Sequence, residues 1–187
     1  LEGKADGTLA DLHIDRLRVD MPDHIGLNAH GTLTSLTDLR SAGGNVHVDA
    51  TFARLDFLEP LLPDTALKRR LRMPRHIALR ADVRAQRGTF YPDIRLEADS
   101  GRIALGGEMN LRSERYRVDL RCDSLPLGRW LPEDSLGAAS LRLNAQGAGF
   151  DPFAAATTFD GELFVDRFDY RGADWGGIEL RAGLREH

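Results

Sequence analysis

"YRVDLRCD", residues 116–123, alternates without a slip: Tyr116, Val118, Leu120 and Cys122 take one phase, Arg117, Asp119, Arg121 and Asp123 the other. Successive side chains of a strand point to opposite faces, so this period describes a strand with one face buried and the other in water. The same reading extends to Ile25-Leu27-Ala29, Val46-Val48-Ala50-Phe52, Ile77-Leu79-Ala81-Val83-Ala85 and Ile94-Leu96-Ala98. It continues through Ile103-Leu105-Gly107-Met109-Leu111, Leu141-Leu143-Ala145, Leu163-Val165 and Ile178-Leu180-Ala182-Leu184. With either Leu12-Ile14 or Leu17-Val19 near the start, the pattern predicts about ten strands or slightly more. Turn residues separate them: "SAGG" at 41–44, "RG" at 87–88, "DSG" at 99–101 and "RGADWGG" at 171–177.

No amphipathic helix of useful length lies between these runs, which excludes βαβ crossovers and predicts a mainly antiparallel sheet. Two stretches interrupt the alternation. "LDFLEPLLPDTALKRRLR" (55–72) has room for one or two short helical turns, limited by Pro60 and Pro63, and "DSLPLGRWLPED" (123–134) reads as an extended loop.

The 187 residues are 42% hydrophobic and 29% charged, the balance of a folded segment rather than a disordered one. With 25 basic and 29 acidic residues the net charge is −4, so no global field draws nucleic acid or an anionic membrane. Cys122 stands alone, which excludes an internal disulfide and any multi-cysteine metal site. No apolar run approaches the ~18 residues of a membrane-spanning helix. The chain lacks an initiator Met and opens on what reads as the lead-in to a strand, so it is expected to be an excerpt of a longer protein.

The chain also repeats itself. "MPDHIGLNA" (21–29) returns as "MPRHIALRA" (73–81), "LNAHG" (27–31) as "LNAQG" (143–147), and "GNVHVD" (44–49) as "GELFVD" (161–166). These echoes divide one 1–187 segment into degenerate units at about 1–20 (partial), 21–72, 73–136 and 137–187, a solenoid-like array with loop insertions.

About ten strands at ~4.8 Å make a sheet roughly 50 Å across, and its apolar face has to be covered. The sheet can curl on itself, close into a barrel or sandwich, or leave a trough for an apolar ligand. Many inward positions are small (Ala29, Ala50, Ala81, Ala85, Ala98, Gly107, Ala145, Ala182), which leaves room for a trough and is also compatible with two closely approaching sheets. On the other phase, Arg and acids alternate as Arg80-Asp82-Arg84, Arg95-Glu97-Asp99 and Arg117-Asp119-Arg121. Opposite charges across strands would help set register, and a solvated charged face discourages association between sheets.

Chemistry is sparse. His13–Asp15 and His47–Asp49 place an acid two residues from a histidine, a spacing metal sites use, but neither has the corroborating cluster. His24 and His76 open strands within the repeated phrase. No nucleophile elbow, P-loop or dinucleotide fingerprint occurs, and no acid sits in an apolar run that would raise its pKa. Asp64 and Asp151-Pro152 read as turn formers, Trp130 and Trp175 as packing beside turns, and Lys68, Arg69, Arg70, Arg72 and Arg75 as a solvated basic loop. No catalytic group, metal site or cofactor is read, so no enzyme is expected.

Gly147, Phe150-Asp151-Pro152, Gly161 with Leu163 and Val165, Phe168-x-Tyr170-x-Gly172 and Ile178-x-Leu180 resemble the recurring unit of the AsmA-like superfamily, in particular its TamB-type translocation and assembly modules. "SGRIALGGEMNL" (100–111) and "LPLGRWLP" (125–132) are similar to the strand and post-strand phrases of that family. The resemblance implies an elongated sheet folded lengthwise into a taco-like groove with an apolar interior, in the periplasm of a diderm bacterium, in a protein anchored in the inner membrane. It implies phospholipid acyl chains as ligand, and an outer-membrane TamA/Omp85-type partner reached through regions outside this segment. The implied lining is Ile25, Leu27, Val46, Val48, Phe52, Ile77, Leu79, Val83, Ile94, Leu96, Ile103, Leu105, Met109, Val118, Leu120, Leu141, Leu143, Leu163, Val165, Ile178 and Leu180. The expected function is therefore to shield and conduct acyl chains between the two membranes. The competing expectation is a scaffold that assembles outer-membrane β-barrels or autotransporters by strand pairing. A carbohydrate-binding sandwich using Trp130 or Trp175 is a third.

Overall fold

A computed structural model describes residues 2–8, 10–21, 24–54, 72, 74–132, 135–151, 154 and 156–185. Its strands are β1 (Glu2–Gly7), β2 (Asp11–Met21), β3 (Ile25–Thr34), β4 (Gly43–Arg54), β5 (Arg75–Gln86) and β6 (Thr89–Ala98). They continue as β7 (Gly101–Asn110), β8 (Arg115–Pro126), β9 (Leu136–Ala148), β10 (Thr158–Tyr170), β11 (Ala173–Trp175) and β12 (Ile178–Leu184). All twelve belong to one antiparallel sheet in which spatial order follows chain order from β1 to β11, while β12 also pairs with β10. The two ends of that order do not pair with each other, so the sheet is not closed into a barrel. The fold is all-β, as the alternation predicts.

Sequential antiparallel neighbours need only short turns, and the turn residues account for them. Arg87 and Gly88 have φ of 51° and 75°, and Arg171 and Gly172 have 52° and 78°. Positive φ at both central residues is the type I′ pattern, whose twist matches that of the flanking strands. Gly88 is required for a second reason: a Cβ there would meet the backbone of Arg40, 2.6 Å from its carbonyl carbon. That close approach lets Gly88 N–H donate to Ala42 O (2.9 Å) and Gly88 O accept from Leu111 N–H (2.9 Å).

Bulges decide the phase of three long strands. In β2 the pairing shifts between Ile14 and Leu17, so Leu12-Ile14 and Leu17-Val19 share one strand and one face although their spacing is out of phase. β8 shifts between Cys122 and Leu125, and β10 between Val165 and Arg167, with the same effect on Leu125 and Phe168. One extra residue turns each following side chain to the opposite face, so a bulge restores a run that has slipped. The β6–β7 ladder is instead interrupted, with no paired position at Tyr91 or Pro92, because Pro92 has no N–H to contribute.

The segment 123–134, expected as an extended loop, is strand to Pro126 and then a four-residue helical turn, α1 (Leu127–Trp130). Leu131 N–H donates to Leu127 O (2.7 Å), and the Trp130 indole donates to Asp99 Oδ2 (3.0 Å), tying the turn to the β6–β7 corner. Of the stretch 55–72, expected to hold one or two helical turns, residues 55–71, with Asp64, Lys68, Arg69 and Arg70, lie outside the described residues.

The repeated phrases land on equivalent strands. Ile25, Leu27 and Ala29 of β3 stand in register, through Phe52, Ala50 and Val48 of β4, with Ile77, Leu79 and Ala81 of β5. The later echo keeps its face but not its place. Register carries Leu27 across to Leu141, whereas the matching "LNA" begins at Leu143.

Candidate functional site

Cross-strand register assembles the apolar phase into continuous rows. One row runs Val19, Leu27, Ala50, Leu79, Leu96, Ile103, Cys122, Leu141, Val165, Ile178, each directly opposite the next. Beside it runs Leu17, Ala29, Val48, Ala81, Ile94, Leu105, Leu120, Leu143, Leu163, Leu180. Both cross from β2 to β12 without one polar residue. The remaining residues named from the sequence fall on the same face: Val46 with Val83, then Val118; Met109 opposite Phe90 and Tyr116; and Ile25, Phe52 and Ile77 in a row at the other end.

These rows are not sealed in a closed core. The buried apolar residues among those described are Ala29, Ala42, Ala50, Ala85, Ala98, Ala139, Cys122, Ile77 and Leu125, mostly alanines lying low between larger neighbours. The larger row members, including Leu96, Leu105, Leu120, Leu143 and Leu163, are only half-buried. Met109, Ile178, Leu180 and Leu184 are exposed.

The rows meet an open cavity of about 820 Å³ lined by Val83 on β5, Phe90 on β6, Met109 on β7, Val118 on β8, Phe159 on β10 and Leu184 on β12. The sheet therefore bends enough for side chains from β5 and β12 to border one space. Its size is within the roughly 300–1,000 Å³ of ligand pockets. Gly106, Gly107 and Gly149 also line it, and two of its aromatic rings are seated over glycines outside the lining. A Cβ on Gly147 would lie 2.6 Å from the Tyr116 hydroxyl oxygen, and one on Gly161 would lie 2.5 Å from Phe159 Cζ, so each aromatic ring occupies the space its glycine leaves. The Tyr116 and Phe150 rings stack at 6.3 Å between centroids. Phe90, Pro92, Tyr116, Phe150, Phe159 and Leu184 line this cavity without having been named as lining from the sequence. All but Phe150 continue the apolar phase of their strands, a signal that alternation already carries; Phe150 lies outside any strand.

The opposite face is charged, and its register mixes like and opposite charges across the strands. Arg80 stands opposite Arg95, Arg121 opposite Arg142, and Asp82 opposite Asp93. Compensation comes along the strand or diagonally: Arg95–Asp93 at 3.4 Å, Arg121–Asp123 at 3.3 Å and Arg142–Asp166 at 2.7 Å. Arg80–Asp49 (2.8 Å) is one of the direct opposite-charge pairs. Exposed pairs of this kind contribute roughly 0–1 kcal/mol each, so register is set chiefly by the apolar face.

His47 has the most structured polar surroundings on this face. Its Nδ1 is 2.6 Å from Asp82 Oδ1, its Nε2 is 2.8 Å from Asp49 Oδ2, and the His30 ring lies at 4.9 Å. A ring facing a carboxylate at each nitrogen can donate at both only as imidazolium, and Asp82 first, then Asp49, raise its pKa above the ordinary histidine value. Asp49 is held below the usual carboxylate range by Arg80 and then by His47. His13 similarly meets Asp15 at 2.7 Å, with Lys4 on the same carboxylate at 3.4 Å. Both nitrogens of His47 are thus committed to carboxylates, and no group of three ligating side chains able to hold a metal occurs among the described residues. Cys122 is buried, and desolvation followed by the Asp123 charge raises its thiol pKa. Trp175 is exposed on β11, opposite Phe168.

No helix of the described residues is long and apolar enough to cross a membrane. Comparison with protein-family models, curated proteins and solved structures finds no match to this chain.

Proposed function

We propose that this chain is a lipid-contacting β-groove segment: the sheet curls lengthwise into a taco-like trough whose apolar face shields and conducts phospholipid acyl chains. The reading includes a periplasmic setting between inner and outer membranes, which rests on the motif resemblance of residues 141–182 to the TamB-type unit. The observation that carries it is the pair of unbroken apolar rows from Val19 and Leu17 to Ile178 and Leu180, whose larger members stay half-buried or exposed. Leaving such a surface in water costs about 25 cal/mol per Å², and acyl chains match it without polar partners. The cavity bordered by Val83, Phe159 and Leu184 gives them space. A run of equivalent rows with no specific polar anchor fits a ligand that moves along the surface better than one fixed at a point.

The test is to purify the chain from a host with phospholipid membranes, extract it with organic solvent and analyse the extract by mass spectrometry. Phospholipid in stoichiometric proportion supports the reading. Lipid-free protein that also fails to take up a fluorescent fatty acid overturns it.

A further inference from the structure

We infer that Arg112 and Trp130 are positioning residues that brace the two rims of the sheet, hold its bend across β4–β8 and so set the width of the cavity. Bonds between neighbouring strands fix their spacing but leave a sheet free to twist and bend. A bond that passes over a strand fixes a chord, and the chord fixes the bend.

Arg112 is exposed in the turn between β7 and β8. Its guanidinium donates from Nε to Arg40 O (2.6 Å) and from Nη2 to Ser41 Oγ (3.1 Å), both in the loop 35–42 between β3 and β4. These bonds pass over β5 and β6. In a flat sheet β4 and β7 would stand three spacings of ~4.8 Å, about 14 Å, apart. The loop crosses the β5–β6 hairpin on its way, with Gly88 packed on the Arg40 backbone and donating to Ala42 O (2.9 Å). Both ends of the brace are anchored. Asn110 Oδ1 accepts from the N–H groups of Arg112 (2.9 Å) and Ser113 (2.8 Å), while its amide nitrogen donates to Thr89 Oγ1 (2.8 Å) on β6. On the loop side Asp38 accepts from the Ser41 hydroxyl (2.7 Å) and Arg40 N–H (3.1 Å). A guanidinium suits this place because its rigid fork meets two acceptors at once.

The opposite rim carries the second brace. Trp130 ends α1, just after β8, and its carbonyl accepts from Arg72 N–H (2.7 Å), which precedes β5, so this bond passes over β6 and β7. The indole donates to Asp99 Oδ2 (3.0 Å) between β6 and β7. The strands held in this way are those whose Val83, Phe90, Met109 and Val118 border the cavity. Ligand capacity of that cavity rests on the lipid reading; the braces themselves do not.

The test measures the chord by double electron–electron resonance between nitroxides at Gln86→Cys on β5 and Asn144→Cys on β9. Both positions are exposed on the charged face, and the background is Cys122→Ala. Arg112→Ala, Trp130→Leu (which removes the indole bond) and the double variant are compared with the parent, each checked for its β spectrum by circular dichroism. Each substitution is expected to lengthen and broaden the distance distribution, and the double variant to do so most. A folded double variant with the parent's distribution would overturn the inference. Titration with a dansyl-labelled fatty acid separates it from the lipid reading. Longer distances with several-fold weaker binding support both, whereas longer distances with no binding even by the parent support the braces and count against the lipid reading. Longer distances with unaltered binding would overturn the assignment of cavity width to the braces. Should a variant lose its β spectrum, Arg112→Lys and Trp130→Phe take their places with a smaller lengthening expected, and an unchanged distribution would count against the inference.

Discussion

Leu120 on β8 stands directly opposite Leu143 on β9, which stands directly opposite Leu163 on β10. Leu143→Asp puts a carboxylate in the middle of an apolar row with no donor opposite it on either side. Lost apolar contact and polar burial together are expected to cost about 2–3 kcal/mol. Arg117→Ala, on the charged face, should stay within about 0.5 kcal/mol of wild type. Urea titrations of the two variants check both values.

Gly147 permits Tyr116 to lie across β9. Any side chain there meets the Tyr116 ring, with Cζ 2.8 Å from a Cβ, and also the carbonyl oxygen of Thr158. Gly147→Val is therefore expected to destabilise by about 2 kcal/mol or more, since the backbone contact cannot be relieved by moving a ring. Combining it with Tyr116→Ala should leave most of the loss in place. Thermal melts of the single and double variants distinguish the two contacts.

His47, between Asp82 and Asp49, has a folded pKa above its ordinary value of about 6.5. A raised pKa means that the folded state binds the proton more tightly than the unfolded chain. The resulting stabilisation is complete below the unfolded value and disappears as pH rises through the folded one. Melting temperature measured from pH 6 upward should fall more steeply for wild type than for His47→Gln.

Cys122 sits in an apolar row between Ile103 and Leu141, buried and with its thiol pKa raised. Thiolate is the reactive form, so a thiol-specific reagent should label native protein far more slowly than protein in denaturant. Rapid labelling without denaturant would place Cys122 at the surface.

Alternation made most of this sheet legible, because a half-exposed antiparallel strand has no other way to satisfy its two faces. It also named most of the row residues, since they simply extend the phase of Leu120 and Leu143. Bulges were not legible. Ile14 and Leu17, or Cys122 and Leu125, are an odd number of positions apart, and only pairing with the neighbouring strand returns them to one face. The cavity-lining aromatics were hidden for a related reason. Phe90, Tyr116 and Phe159 are in phase with their strands, but that they converge with Leu184 depends on how the sheet bends. The charge pattern suggested cross-strand attraction, and register supplies it between Asp49 and Arg80 while also juxtaposing Arg80 with Arg95. Alternation alone does not say which residue of the next strand lies opposite.

The central claim is that one face of the sheet, and not the other, touches acyl chains. Site-specific photocrosslinking tests it most directly, with a photoreactive amino acid at Leu120 on the apolar face or at Arg121 on the charged one, in cells labelled with radioactive phosphate. The account predicts crosslinked phospholipid at position 120 and none at 121. Equal labelling at both positions, or none at 120 in a protein that remains folded, would contradict it.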